Sequence, residues 1–281
     1  MEVCGEASSA TQALAAIENL GPDAVLCDIS LPGMNGYALL TELKLHERNV
    51  VTIEDPVEYQ LARLNQIEVD LKRGLTFEQG LRSILRLDPD YILLGEVRDR
   101  ESALIALEAA STGRVVLSTI HSRHSAGVVT ALRSLGIPNY EIAASLAVIV
   151  AQRLVRKLCV HCRKEAPPTD AKRRWLESLG EQMPQCDCVW HAVGCAQCGH
   201  SGYRERTGIF EVLPVDQRTY DLIVAGKDEH TLRQHLRDAG FRPLLQDGLE
   251  KAAHGITDLT ELTRIGAQSY LDRDPGAARP A

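Results

Sequence analysis

Three short apolar runs each end on residues with chemistry, and that repetition constrains the fold more than anything else in the sequence. Asn49 to Ile53 leads into Glu54-Asp55, Tyr91 to Leu94 into Gly95-Glu96, and Val115 to Ile120 into His121. Such runs have the length of strands buried on both faces, the pattern of parallel sheets. Open parallel sheets bind their ligands at the carboxyl ends of the strands. The runs therefore predict an α/β sheet with Glu54, Asp55, Glu96 and His121 along one edge.

A chain of 281 residues can bury a sizeable core, and its length suggests about two domains. Apolar and charged fractions of 44% and 25% are those of a soluble globular protein. A net charge of -7 weighs against nucleic acid as the main partner, and the Lys and Arg residues between Arg153 and Arg174 read as a solvated face. No charged-then-apolar leader opens the chain. The longest apolar run, Ile142 to Ala151, falls far short of the roughly 20 residues of a membrane span, so the expected location is the cytoplasm. Eight cysteines in such a chain are expected as reduced thiols or metal ligands rather than disulfides.

In chain order, Ala10 to Leu20 has helical apolar spacing and stops at Gly21-Pro22. Ala24 to Ile29 is a short apolar strand carrying Asp28, and Ser30 to Gly36 is a turn-rich loop. The run Pro22 to Gly36 resembles the middle of a response-regulator receiver domain, a family in which the matching aspartate accepts a phosphoryl group. Asp28 is thus a candidate phosphoacceptor. The alternative is an inherited, idle strand-end residue. That alternative is favoured because the further metal-binding carboxylates, the Thr or Ser and the Lys of a receiver have no counterparts here.

From Tyr37 onward the resemblance is to secretion and pilus-assembly ATPases, the GspE/PulE and PilB group. Tyr37 to Lys44 is similar to the helix that follows their phosphate loop, and Val51 to Tyr59 to their aspartate box. Leu87 to Asp99 resembles their Walker B region, and Leu117 to His121 their histidine box. The resemblance implies ATP and magnesium as ligands, with Glu58 as the water-polarising base and Glu54 and Asp55 shaping that wall. It also implies that Glu96 organises magnesium and water and that His121 attends the terminal phosphate. Thr76 and Gln79 open a helix on which Arg82 and Arg86 lie four apart and leave one face. Family arginines at these positions reach the phosphates of a neighbouring subunit, which implies a homo- or hetero-oligomeric ring, with inner-membrane platform proteins as further partners. Through them the chain would be peripheral to the inner membrane.

One part of a nucleotide site is missing from the sequence. A phosphate loop reads Gly-x-x-x-x-Gly-Lys-Ser/Thr between a strand and a helix, and no stretch fits. Gly226-Lys227 is followed by Asp228 and lacks the first glycine. The receiver-like strand and turn occupy the loop's place, where Asp28 would repel a triphosphate. Weak or absent ATP binding and no hydrolysis are expected.

Downstream, helices are predicted over Glu101 to Thr112, Ala126 to Leu135 and Tyr140 to Leu158. Cys159-x-x-Cys162 and Cys195-x-x-Cys198 form two knuckles suited to a structural, tetrahedral zinc, 32 residues apart. Cys186 and Cys188 could compete as ligands, while His161 and His200 read as bystanders. A tetracysteine element here is also a feature of the resembling ATPases. Gly208 to Leu213 is a closing strand, followed by short helices over Arg218 to Ala225, Glu229 to Ala239, Pro243 to Ala253 and Leu259 to Ile265.

The expected organisation is a receiver-like fragment over 1–36 and a partial RecA-like core with flanking helices over 37–157. A metal element over 158–213, a helical C-terminal domain over 214–268 and a disordered tail over 269–281 follow. The expected function is that of a truncated or hybrid motor ATPase with impaired turnover. The competing readings are a non-enzymatic assembly or regulatory subunit docking on a complete motor ring through the Arg82 face, and a non-functional gene fusion.

Overall fold

A computed structural model describes residues 10–21, 49–57, 60–61, 64–122, 124–178 and 188–270. The expected strand over 24–29, the helix over 37–44 and the tail over 271–281 lie outside the described residues. Helix α1 spans Ala10–Leu20, as its apolar spacing predicts. The chain divides into two compact units, the first comprising 1–122, 126–147 and 214–232, the second 123–125, 148–213 and 233–281.

The first unit is built on a four-stranded parallel sheet. Its strands are β1 (Val50–Glu54), β2 (Asn65–Glu68), β3 (Tyr91–Leu94) and β4 (Val115–Ser118), in the order β2-β1-β3-β4. The predicted runs at β1 and β3 are buried: Val51, Ile53, Ile92 and Leu94 have no exposed surface. β4 departs from expectation. It stops at Ser118 rather than Ile120, and Val115 and Leu117 stay 45% and 54% exposed, because among the described residues it pairs with β3 alone. β2, Asn-Gln-Ile-Glu, is a polar edge strand without an apolar run to announce it.

Helix α2 (Phe77–Ile84) starts where Thr76 Oγ1 accepts the Gln79 N–H at 3.2 Å. It lies so close to the sheet that a Cβ on Gly80 would fall 2.2 Å from Ile53 Cδ1. The chain then tightens into a 3-10 turn over Leu85–Leu87, so Arg86 is not on the same α-helix as Arg82, contrary to the expected single helical face. Helix α3 (Arg100–Ser111) opens with a capping box between Asp99 and Ser102 and buries Ile105, Ala106 and Ala109 against the same core. Helices α4 (Ser125–Ser134) and α5 (Asn139–Ser145) follow.

The predicted helix over Tyr140 to Leu158 is a correction. Leu146 leaves α5 with extended backbone, and β5 runs from Val148 to Leu158. The β-branched run Val148-Ile149-Val150, with Val155 beyond it, suits a pleated surface better than a helix. Its partner is β8 (Tyr203–Pro214), longer than the predicted Gly208 to Leu213. Between them lie β6 (Lys164–Ala166) antiparallel to β7 (Val189–His191), and helix α6 (Asp170–Ser178). The long interval between the cysteine knuckles thus carries structure of its own.

Four helices follow: α7 (Gln217–Val224), α8 (Glu229–Asp238), α9 (Leu244–Ala253) and α10 (Leu259–Tyr270). In the second unit, α9 and α10 cover a core of Val155, Leu176, Val189, Ile209, Leu249 and Leu262. A buried charge pair lies here. Lys251 Nζ lies 2.8 Å from Asp247 Oδ2, which also accepts the Phe210 N–H. Arg156 and Arg163, from the stretch expected to be a solvated face, stack on the rings of Tyr203 and Trp190 at 3.9 and 4.5 Å.

Candidate functional site

Because the strands are parallel and Ile53, Leu94 and Ser118 fall in one register, the residues that follow them emerge side by side. Gly95 donates its N–H to Ile53 O at 2.8 Å, and its carbonyl accepts Thr119 Oγ1 at 2.7 Å, so three strand ends are tied together at this glycine. A Cβ at Gly95 would meet Ile53 O at 3.3 Å.

Glu96 follows immediately. Its Oε1 is ion-paired with Arg98 Nε, and its Oε2 lies 3.6 Å from His121 Nε2. Arg98 Nη1 donates to Asp55 Oδ2 at 3.1 Å. Arg98 therefore joins Asp55 to Glu96, and Glu96 in turn faces His121, with Glu96 the most sheltered of the three and His121 almost fully exposed.

Glu54 turns the other way. Its Oε1 accepts Thr52 Oγ1 at 2.6 Å and Gln66 Nε2 at 3.1 Å, which anchors it toward β2. Arg82 is paired with Glu78 on its own helix at 3.2 Å, and Arg86 sits on the following turn. No described contact brings either arginine to the acids. Glu58 and Asp28 lie outside the described residues.

Arg98, Thr52 and Gln66 also hold the acids in place, and the motif pattern does not mark them as site residues. Arg98 lies two positions after Glu96, close enough along the chain for its side chain to meet that carboxylate.

In the second unit, Cys159, Cys162, Cys195 and Cys198 bring four sulfurs within 4.8 Å of one another. Three sulfur–sulfur separations, 3.9, 3.9 and 3.8 Å, match the spacing of about 3.8 Å that a tetrahedron with ~2.3 Å metal–sulfur bonds requires. Backbone N–H groups already point at the sulfurs. Gly194 donates to Cys162 Sγ at 3.3 Å, and Cys195 and Gly202 each donate to Cys198 Sγ at 3.2 Å.

Burial pushes the Cys162 thiol up to about 11, against the pull of the Gly194 N–H. Burial would raise Cys198 as well, but the N–H groups of Cys195 and Gly202 and the neighbouring sulfurs outweigh it and bring Cys198 down to about 6. Donors that stabilise thiolate suit a soft-ligand metal site. Cys188, His161 and His200 stand apart from the cluster, and Cys186 lies outside the described residues.

The family model "Type II/IV secretion system protein" matches residues 34–264, and "Response regulator receiver domain" matches residues 1–58. The chain is 43% identical over 236 residues to the type II secretion system protein E of Klebsiella pneumoniae, covering 84% of this chain and 46% of that protein. It is 41% identical over 226 residues to the type IV pilus assembly ATPase PilB of Thermus thermophilus, covering 80% and 25%. The chain thus spans less than half the length of these curated relatives.

Among solved structures, the pilus retraction motor PilT with bound ADP superposes with a TM-score of 0.55 at 23% identity, covering 80% of this chain and 53% of that one. The Legionella pneumophila ATPase DotB gives 0.55 at 21%, covering 82% and 57%. At such identities the likeness concerns the fold. No helix among the described residues is long and apolar enough to cross a membrane.

Proposed function

The chain belongs to the type II/IV secretion system protein family, and from that premise we propose that it is a secretion or pilus motor subunit with the acid half of an ATPase site. The observation that carries the reading is the edge where Asp55, Glu96 and His121 meet beside Gly95. Carboxylate oxygens from adjacent strands suit a hard divalent cation. Glu96 would hold magnesium and its water, and His121 would stand beside the terminal phosphate. Glu58 is the proposed water-polarising base, with Glu54 and Asp55 shaping the wall behind it. Bound magnesium would neutralise charge on the transferred phosphoryl group.

The triphosphate fits less well. Residues 1–36 contain no Gly-x-x-x-x-Gly-Lys-Ser/Thr to cradle phosphates and place Asp28 in that stretch. Turnover by this chain is accordingly impaired, and no hydrolytic step is assigned to it. Arg82 and Arg86 are proposed to face a neighbouring subunit of an oligomeric ring, with inner-membrane platform proteins as its partners.

The exposure of Arg82, which among the described residues pairs with Glu78 on its own helix, supports the second reading of a non-enzymatic subunit that docks on a complete ring through this face. The tetracysteine cluster is proposed to hold a structural zinc, on the sulfur spacing and N–H donors described above. Magnesium-dependent ATP hydrolysis by the pure chain decides the main reading. We expect none above background, and turnover abolished by Glu96→Gln would overturn the impairment.

A further inference from the structure

We infer that Arg98 is a positioning residue that holds Asp55 and Glu96 around its own guanidinium and so competes with a divalent cation for the two carboxylates. The acids come from neighbouring strands: Asp55 follows β1 and Glu96 follows β3, with Ile53 and Leu94 in register. Different nitrogens of one side chain reach them, Nη1 to Asp55 and Nε to Glu96. The second oxygen of Glu96 already faces His121.

A guanidinium carries a permanent charge and a rigid fork of donors, so it can stand between two carboxylates where an ion would otherwise be needed. Glu96 is only 20% exposed, and two carboxylates brought together at such a place repel unless a cation separates them. A hard cation needs the same oxygens and enters only as Arg98 leaves. In this same position the guanidinium carbon lies 6.0 Å from the centre of the Phe77 ring, at the outer edge of cation–π range.

The inference rests on the acid edge being a cation site, yet it requires neither nucleotide nor turnover. Its test is Mn2+ alone, titrated into the full chain and followed by electron paramagnetic resonance, so that failure here and the ATP hydrolysis result remain separate. Wild type should bind Mn2+ weakly, and Arg98→Gln at least tenfold more tightly. Arg98→Lys, which keeps a cation in place, should stay within threefold of wild type. Arg98→Gln combined with Glu96→Gln should lose the gain, which excludes binding at the thiolates.

Should Arg98→Gln fail to fold, Arg98→Met keeps the length of the stem and carries the same expectation. Unchanged affinity on removal of the guanidinium, equal tightening in Arg98→Lys, or a gain that survives Glu96→Gln would each overturn the assignment.

Discussion

Arg156 and Glu261 are joined twice: the Arg156 guanidinium donates Nη2–H to Glu261 Oε1 at 2.6 Å, and the Arg156 backbone N–H donates to Glu261 Oε2 at 3.0 Å. Glu261 is fully buried, and Arg264 closes on its far side at 3.2 Å. Burial works to raise the Glu261 carboxyl, but the hydrogen bonds from Arg156 and Arg264 outweigh it and hold it at about 2. A carboxylate lowered on folding stabilises the fold above its unfolded value, and that stability is lost as pH falls toward the folded one. Urea unfolding between about pH 5 and pH 2 should show stability declining with pH in wild type and a shallower decline in Glu261→Gln. At pH 7 the variant should be less stable by roughly 3–5 kcal/mol, the usual cost of breaking a buried ion pair. Equal slopes would remove Glu261 from the account.

Gly80 and Ile53 make a second, independent case. Gly80→Ala should destabilise by roughly 1–3 kcal/mol, because the added methyl meets Ile53 Cδ1. Ile53→Val removes that atom at a cost of about 0.5–1.5 kcal/mol. The double variant should be more stable than the sum of the two losses, a coupling that denaturant unfolding of all four proteins reads directly. Strict additivity would mean that the helix, rather than the side chain, moves aside.

The tetracysteine cluster predicts close to one zinc per chain in protein purified without added metal. Removing it with a strong chelator should lower the melting temperature, and Cys198→Ser should lower both the zinc content and the melting temperature without chelator. A stoichiometry well below one, with an unchanged melting curve after chelation, would leave the cysteines as packed thiols.

Arg133 closes the carboxyl end of α7. Its guanidinium donates to Ile223 O at 3.1 Å, Lys227 O at 2.6 Å and Asn139 Oδ1 at 2.8 Å. Arg133→Ala should cost about 1–3 kcal/mol, and Arg133→Lys should recover little, since one ammonium cannot span three acceptors. Hydrogen exchange should accelerate most in the last turn of α7.

What the sequence disclosed was whatever short-range pattern encodes. α1 and β3 fall where their apolar spacing places them, and the knuckle spacing singled out the four clustered cysteines. The acid edge followed from strands that end on charged residues. β2 was hidden because an edge strand such as Asn65-Gln66-Ile67-Glu68 need not be apolar. The switch from helix to strand at Leu146 was hidden because Ile142 to Ala151 is apolar apart from Ser145, and such a run does not distinguish a buried helix from a buried strand. The bridge from Arg98 to Asp55 depends on β1 and β3 being neighbours, a long-range pairing that no local spacing reveals.

The exposed leucine and valine on β4 bear on how the purified chain should behave in concentrated solution. Among the described residues β4 pairs with β3 alone, and a strand flank of that kind offers peptide groups and apolar side chains to any extended segment that meets it, the usual starting point of self-association. Light scattering should rise steeply with protein concentration, and Leu117→Lys should suppress that rise.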